Sequence, residues 1–262
     1  MVFGVSSLLF IIVHNFAWYN LYVSCGSLDK KGCSCMELEL ISKENVIDNI
    51  WTFRFEPSEP IDWVAGQYAE VELPHDNADD GGTKRFFTNA AAPYEGVYQI
   101  TTRISQSSFK QALRGLIVGD KSLKLMSGPS GDFVWQDLDM PIVFVAGGIG
   151  ITPFHSIIKQ RVHGGQSIPL SFVYGSRTAD VAFRSELDEW ATNSDLKVNY
   201  VVGERVDAKK LATLIPNLNA SLVYVSGPEP MVEVLGDDLK ANGLPASQLK
   251  QDFFPYYDET NY

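Results

Sequence analysis

From residue 36 onward, hydrophobic and polar positions alternate in short runs over 37–43, 50–55, 68–73, 84–89, 97–103 and 121–126. Alternation with a period of two sets one face of a strand against a core and the other in water. Turn residues separate the runs: Pro57, Gly66, Gly81-Gly82, Pro93, Gly96 and Gly119-Asp120. Several short strands at this spacing predict a small antiparallel barrel. One helix interrupts it over 108–116, where Phe109, Ala112, Leu113 and Leu116 share a face. The glycine-rich run at 128–133 reads as the exit from the barrel.

Beyond Met140 the pattern changes. Apolar runs at 141–145, 170–174, 197–202, 222–226 and 249–254 alternate with helical stretches near 153–163, 184–192, 208–215 and 231–242. That alternation predicts a parallel sheet with helices on both faces. The expected fold is an antiparallel β-barrel over 36–138, followed by a doubly wound α/β domain over 139–262. Such sheets bind ligands outside the carboxyl ends of their strands. Three motifs sit at those ends, after Val145, Val173 and Val225.

Residues 2–23 are almost wholly apolar and carry no charge, a length that suffices to span a bilayer. A basic segment of the secretory type is missing, and Lys30 and Lys31 behind the stretch would keep the remaining chain cytoplasmic. Residues 1–35 are therefore read as an apolar leader or membrane anchor. Three forms stay open: a single anchor, the last helix of a larger membrane module, or a leader ahead of a start at Met36. His14 lies in this segment; one histidine does not supply both axial ligands of a haem, so no metal site is expected.

A net charge of −11 argues against nucleic acid as a partner. The charge is uneven. Residues 36–83 are acidic, whereas 84–124 carry Lys84, Arg85, Arg103, Lys110, Arg114, Lys121 and Lys124 against Glu95 and Asp120. Cys25, Cys33 and Cys35 are the three cysteines, too few for a plant-type iron–sulfur cluster.

The first motif is Ala146-Gly147-Gly148-Ile149-Gly150-Ile151-Thr152-Pro153. Glycines let the backbone turn tightly and approach an anion. Thr152 suits an N-cap and Pro153 the first helical position. Strand, glycine-rich turn and helix N-terminus together form a phosphate cradle of free N–H groups. Arg85-Phe86-Phe87-Thr88 precedes it, and Tyr174-Gly175-Ser176-Arg177 and Ser226-Gly227-Pro228-Glu229-Pro230-Met231 follow.

In their order and spacing these motifs resemble the ferredoxin–NADP reductase superfamily of FAD-dependent, NAD(P)H-linked oxidoreductases, from about Met36 to Tyr257. The resemblance implies FAD on the barrel and NAD(P)H on the second domain. By it, Arg85 pairs with the FAD pyrophosphate, Phe87 packs on the flat flavin ring beside Phe86, and Thr88 bonds near flavin N5. Arg103, Ser107 and Ser108 form a second flavin element. Gly147, Gly148, Gly150 and Thr152 cradle the nucleotide pyrophosphate. Ser176 and Arg177 meet the adenosine ribose, where they suit a 2′-phosphate. Gly227, Pro228 and Met231 lie beside the nicotinamide, with Ser226 where many members have cysteine. Phe254, or else Tyr257, covers the flavin face. Hydride would pass from the nicotinamide to the flavin. Electrons would then leave for an external acceptor, such as ferredoxin, flavodoxin or a membrane module. A flavin or ferric reductase and an electron-relay subunit of a membrane redox complex are the alternatives. The implied location is cytoplasmic, with residues 2–23 as a tether.

Overall fold

A computed structural model of the protein describes residues 35–253. The readings placed on residues 1–34, Phe254 and Tyr257 lie outside the described residues. The first sheet contains β1 (Met36–Ile47), β2 (Ile50–Pro57), β3 (Tyr68–Glu72), β4 (Lys84–Thr88), β5 (Tyr98–Arg103) and β6 (Leu123–Leu125). Its order is β4-β3-β6-β1-β2-β5, and every pairing is antiparallel. The alternating apolar positions face inward: Leu38, Leu40, Phe53, Phe55, Val71 and Ile100 form one buried cluster. Helix α1 (Ser108–Gly115) adds Phe109 and Leu113 to it.

Strand β1 continues four residues beyond the expected end at 43. Its register shifts between Leu40 and Ser42 and again between Asn45 and Ile47. Ile41 faces outward on the side of Glu37 and Glu39 and is exposed, and the bulge moves later residues to the opposite parity, which hides the rest of the strand from a period-two reading. The added residues pair with β2 up to Ile47–Ile50. The turn between them holds Asp48 in the left-handed region, at φ 47°.

The second sheet contains β7 (Ile142–Gly147), β8 (Leu170–Ser176), β9 (Lys197–Val202), β10 (Leu222–Ser226) and β11 (Leu249–Asp252). All pairings are parallel, in the order β11-β10-β7-β8-β9. Phe144, Phe172 and Tyr174 pack on one side with Phe154 and Ile157 of α2 (Thr152–His163) and Leu187 of α3 (Arg184–Asn193). Val143, Val145, Val173 and Val225 pack on the other with Leu211 of α4 (Ala208–Leu214) and Leu235 of α5 (Glu229–Ala241). Cover on both faces explains why these strands read as unbroken apolar runs. The chain builds outward from β7 through β8 and β9, then crosses back to place β10 and β11 on the other side. The direction reverses between β7 and β10, where a crevice opens beyond the carboxyl ends.

A candidate nucleotide cleft and a barrel anion site

A cleft of about 880 Å³ opens at that reversal, within the range of small-molecule and cofactor sites. Gly147 and Gly148 form its floor, with Ser176 and Arg177 at the end of β8 and Pro228 and Met231 at the start of α5. Gly148 turns the chain with φ 54°, a conformation that costs glycine little. A Cβ on Gly150 would collide with the backbone of Ser226 and Gly227, so the turn after β7 lies directly against the end of β10. Three expected residue groups, from β7, β8 and β10, are thus brought together. Gly150 and Thr152 are buried and are not among the residues lining the cleft.

Thr152 differs from its expected role. A 3₁₀ turn over Gly148–Ile151 runs straight into α2, so Thr152 is already helical at φ −57° and ψ −46° and makes no side-chain cap. Helical backbone begins one turn early because the left-handed Gly148 bends the chain ahead of it. Pro153 still falls in the first turn, where its missing N–H leaves no bond unmade.

The opposite wall of the cleft comes from the barrel: Ile47, Asp48 and Ile50 of the first hairpin, and Arg103 at the end of β5. The Arg103 guanidinium donates to Asn49 Oδ1 at 2.7 Å. Arg103 therefore lines the nucleotide cleft, whereas Ser107 and Ser108 stand at the second site, beside Arg85.

That second site already holds an anion from the chain itself. Asp79 Oδ2 accepts from the Ser108 backbone N–H at 2.8 Å, and Ser108 Oγ accepts from the Asp79 N–H at 2.9 Å. Asp79 Oδ1 meets Arg85 Nη2 at 3.1 Å, and Ser107 Oγ lies 3.5 Å from the same nitrogen. The Ser108 backbone bond, with further bonds from the Ser108 side chain and Gly81 and the Arg85 charge, outweighs burial and holds the Asp79 carboxyl below its ordinary range. Arg85 also donates to the carbonyls of Gly81, Gly82 and Lys84. Lys110, on α1, is buried nearby. Burial, then the charges of Arg85 and Arg103, pushes its ammonium down to about 7. Converging cations and a helix N-terminus that hold a carboxylate fit a phosphate group equally well.

On β4, Arg85 and Phe87 share a face of the strand, and both contact Phe109, the guanidinium at 5.4 Å from that ring and Phe87 at 5.8 Å between centroids. Phe87 is buried, 8% exposed, so a flat ligand reaches it only at an edge. Phe86 is 45% exposed and meets Tyr68 edge-on. Thr88 is buried at the end of the strand.

Two acids at these sites gave no signal in the sequence. Asp79 is one. The other is Asp252, which accepts from Ser226 Oγ at 3.1 Å at the end of β11. Burial pushes the Asp252 carboxyl up to about 6; the Ser226 bond opposes that and the Asp132 charge adds to it.

Residues 144–236 match the oxidoreductase NAD-binding domain family. A ferredoxin NADP+ reductase from Neisseria gonorrhoeae, solved with bound FAD and NADP, superposes with a TM-score of 0.69 at 15% identity, over 83% of this chain and 98% of that one. Residues 144–236 thus carry an oxidoreductase NAD-binding domain, and the fold of the described residues is similar to that of this solved reductase. Relatives in sequence include the reductase component of propane 2-monooxygenase from Mycolicibacterium goodii, 29% identical over 84% of this chain and 68% of the relative. Flavohemoprotein A from Dictyostelium discoideum is 27% identical over 79% of this chain. The chain spans 57% of that relative's length.

Proposed function

We propose that the protein is an NAD(P)H-dependent flavin oxidoreductase that binds FAD on its barrel and passes electrons to an external acceptor. The observation that carries this reading is the Arg85–Ser107–Ser108 anion site, set on a barrel that also walls a nucleotide cleft. FAD, when bound, would supply an acceptor for a hydride from nicotinamide C4 and a store from which electrons leave singly. The residues of the chain bind and orient. Arg85 and the N–H groups of α1 hold the flavin pyrophosphate in place of Asp79, and Phe87, on the Arg85 side of β4, contacts the ring edge. Thr88 closes the end of that strand near the reacting atoms. Gly147 and Gly148 admit the nucleotide pyrophosphate, Pro228 and Met231 border the nicotinamide, and Ser226 fixes the end of β10 behind them.

The relatives that are reductase components of oxygenases support a separate redox protein as acceptor. The direct test is anaerobic reduction of the FAD-loaded protein by NADH and by NADPH, followed by mixing with ferredoxin, flavodoxin or a dye. A protein that takes up FAD but is reduced by neither nucleotide would sink the proposal.

Ser176 and Arg177 at the ribose end of the cleft favour a 2′-phosphate. Arg177→Ala is expected to lower kcat/KM for NADPH about tenfold or more and to leave NADH nearly unchanged, since a charged hydrogen bond contributes about 1.5–3 kcal/mol. Equal losses for both nucleotides would take the phosphate away from Arg177.

Lys110 makes flavin binding pH-dependent. In the free protein its folded value of about 7 lies below its ordinary 10.5. A bound pyrophosphate restores the cation, so above about pH 7 binding takes up a proton. FAD affinity is then expected to fall as pH rises from 7 towards 10, by up to about tenfold per unit. Titrations at several pH values check this. The slope should vanish in Lys110→Met, and its persistence there would assign it to another group.

A further inference from the structure

Helix α2 is fastened to the segment that follows the flavin strand by four of its residues. His155 Nδ1–H donates to the Ala90 carbonyl at 2.7 Å, and Ser156 Oγ–H to the Ala91 carbonyl at 2.6 Å. One turn later Lys159 pairs with Glu95 at 3.2 Å, and Gln160 Oε1 accepts from the Tyr94 N–H at 3.2 Å. Residues 155, 156, 159 and 160 share one helix face, and the strap they hold, 90–95, begins two residues after Thr88. Neither motif spacing nor the flavin and nucleotide sites described above account for this contact.

His155 is its centre. Its side chain is 1% exposed and stacks on Phe183 at 3.8 Å between ring centroids. Its second nitrogen, Nε2, meets Glu186 Oε2 of α3 at 3.0 Å. A carbonyl can only accept, so the bond to Ala90 fixes the proton on Nδ1. Lys159 also approaches Glu186, at 3.7 Å. Phe183 holds a left-handed conformation at φ 60°, unusual for an aromatic residue, and this places its ring on the imidazole. One buried ring thus ties together three elements. They are the helix that begins at the nucleotide cradle, the helix that follows the ribose-binding loop, and the strap leaving the flavin strand.

We propose that His155 is a positioning residue, whose bonds to Ala90 and Glu186 fix the distance and angle at which the nicotinamide meets the flavin. This rests on the flavin oxidoreductase reading above. The argument is geometric. His155 lies three positions after Thr152 and its partner two positions after Thr88, so a shift at this joint moves the cradle relative to β4 with little slack between. Hydride transfer is steep in the approach of the reacting atoms, and a displacement of about 1 Å can cost a factor of about 100 in rate. His155 touches neither cleft-lining glycine nor Arg85, so its loss leaves both binding sites in place.

The test uses the full chain loaded with FAD. Three variants are compared with the unaltered protein: His155→Phe, which keeps the stacking and loses both bonds; His155→Asn, whose amide can still donate to Ala90; and Ser156→Ala. FAD affinity is read by flavin fluorescence. The hydride-transfer rate at saturating nucleotide comes from anaerobic single-turnover mixing, and ring juxtaposition from the long-wavelength charge-transfer absorbance. His155→Phe is expected to slow transfer at least about tenfold at saturation and to weaken the charge-transfer band. FAD and nucleotide affinities should stay within about twofold of the starting values. His155→Asn should recover most of the rate, and Ser156→Ala should show a smaller loss of the same kind. An unchanged rate and band in His155→Phe overturns the proposal, as does a rate loss that only parallels loss of FAD. If His155→Phe does not fold, an unchanged band and rate in Ser156→Ala overturns it. If the unaltered chain takes up no FAD, the titration alone shows that the underlying flavin reading has failed, and the inference fails with it.

Discussion

Arg85→Ala should weaken FAD binding by about 10- to 150-fold, equivalent to about 1.5–3 kcal/mol for a charged hydrogen bond to phosphate. In the structure Arg85 does two jobs. Its guanidinium points at the N-terminus of α1, where Asp79 sits, and it gathers the carbonyls of Gly81, Gly82 and Lys84. Removing it deletes the phosphate partner and also releases the 79–82 turn. Arg85→Lys keeps the charge without the planar fork, so its affinity should fall between the two. Asp79→Asn separates the two jobs. It weakens the internal competitor for the same site while leaving Arg85 in place, and should tighten FAD binding. Flavin fluorescence titrations on all four proteins decide the matter. Equal affinity in Arg85→Ala and the unaltered protein would remove Arg85 from the site, and looser binding in Asp79→Asn would show that the carboxylate assists rather than competes.

Asp252→Asn should raise stability at neutral and alkaline pH, by up to about 3 kcal/mol. The folded carboxyl titrates at about 6 against an ordinary 3.8, so the folded state holds its proton more tightly than the unfolded chain does. Below pH 3.8 both states are protonated and the acid costs nothing. Between 3.8 and about 6 the unfolded chain ionises first, and stability falls as pH rises. Above 6 the full cost of a buried charge persists. Asparagine carries no charge and can still bond to Ser226, so its advantage should grow from near zero at pH 3.5 to a plateau by pH 7. Urea unfolding of both proteins across that range gives the difference directly. An advantage independent of pH would mean that ionisation at 252 is not its source.

The sheets and the glycine turn after β7 were legible because their signals are local. Glycine at 147, 148 and 150, between an apolar run and a helix, specifies a turn from adjacent residues alone, and period-two alternation marks the barrel strands up to the β1 bulge. Asp79, Asp252 and His155 were not legible. Their partners lie 29, 26 and 65 residues away, and nothing near an isolated acid or imidazole in sequence tells which distant carbonyl or hydroxyl the fold will bring to it. Arg103 illustrates a different gap. It ends the strand that leads to Ser107 and Ser108, so adjacency assigned it to their site, yet the sheet turns its guanidinium towards Asn49 and the other cleft. Thr152 was displaced by a local effect too small to read, a single 3₁₀ turn.

The nucleotide cleft has one wall from each sheet, with Asp48 and Arg103 of the barrel facing Gly148 and Ser176 of the parallel sheet. A cleft divided in this way does not exist in a chain with only one half folded. Any nucleotide that fills it binds the state in which both halves are formed, and stabilises that state by mass action over every partly unfolded form. Occupancy therefore adds to what already joins the halves, the bonds of α2 to Ala90 and Ala91 and the packing of Ile50 in one cluster with Phe144, and raises the cost of opening either half alone.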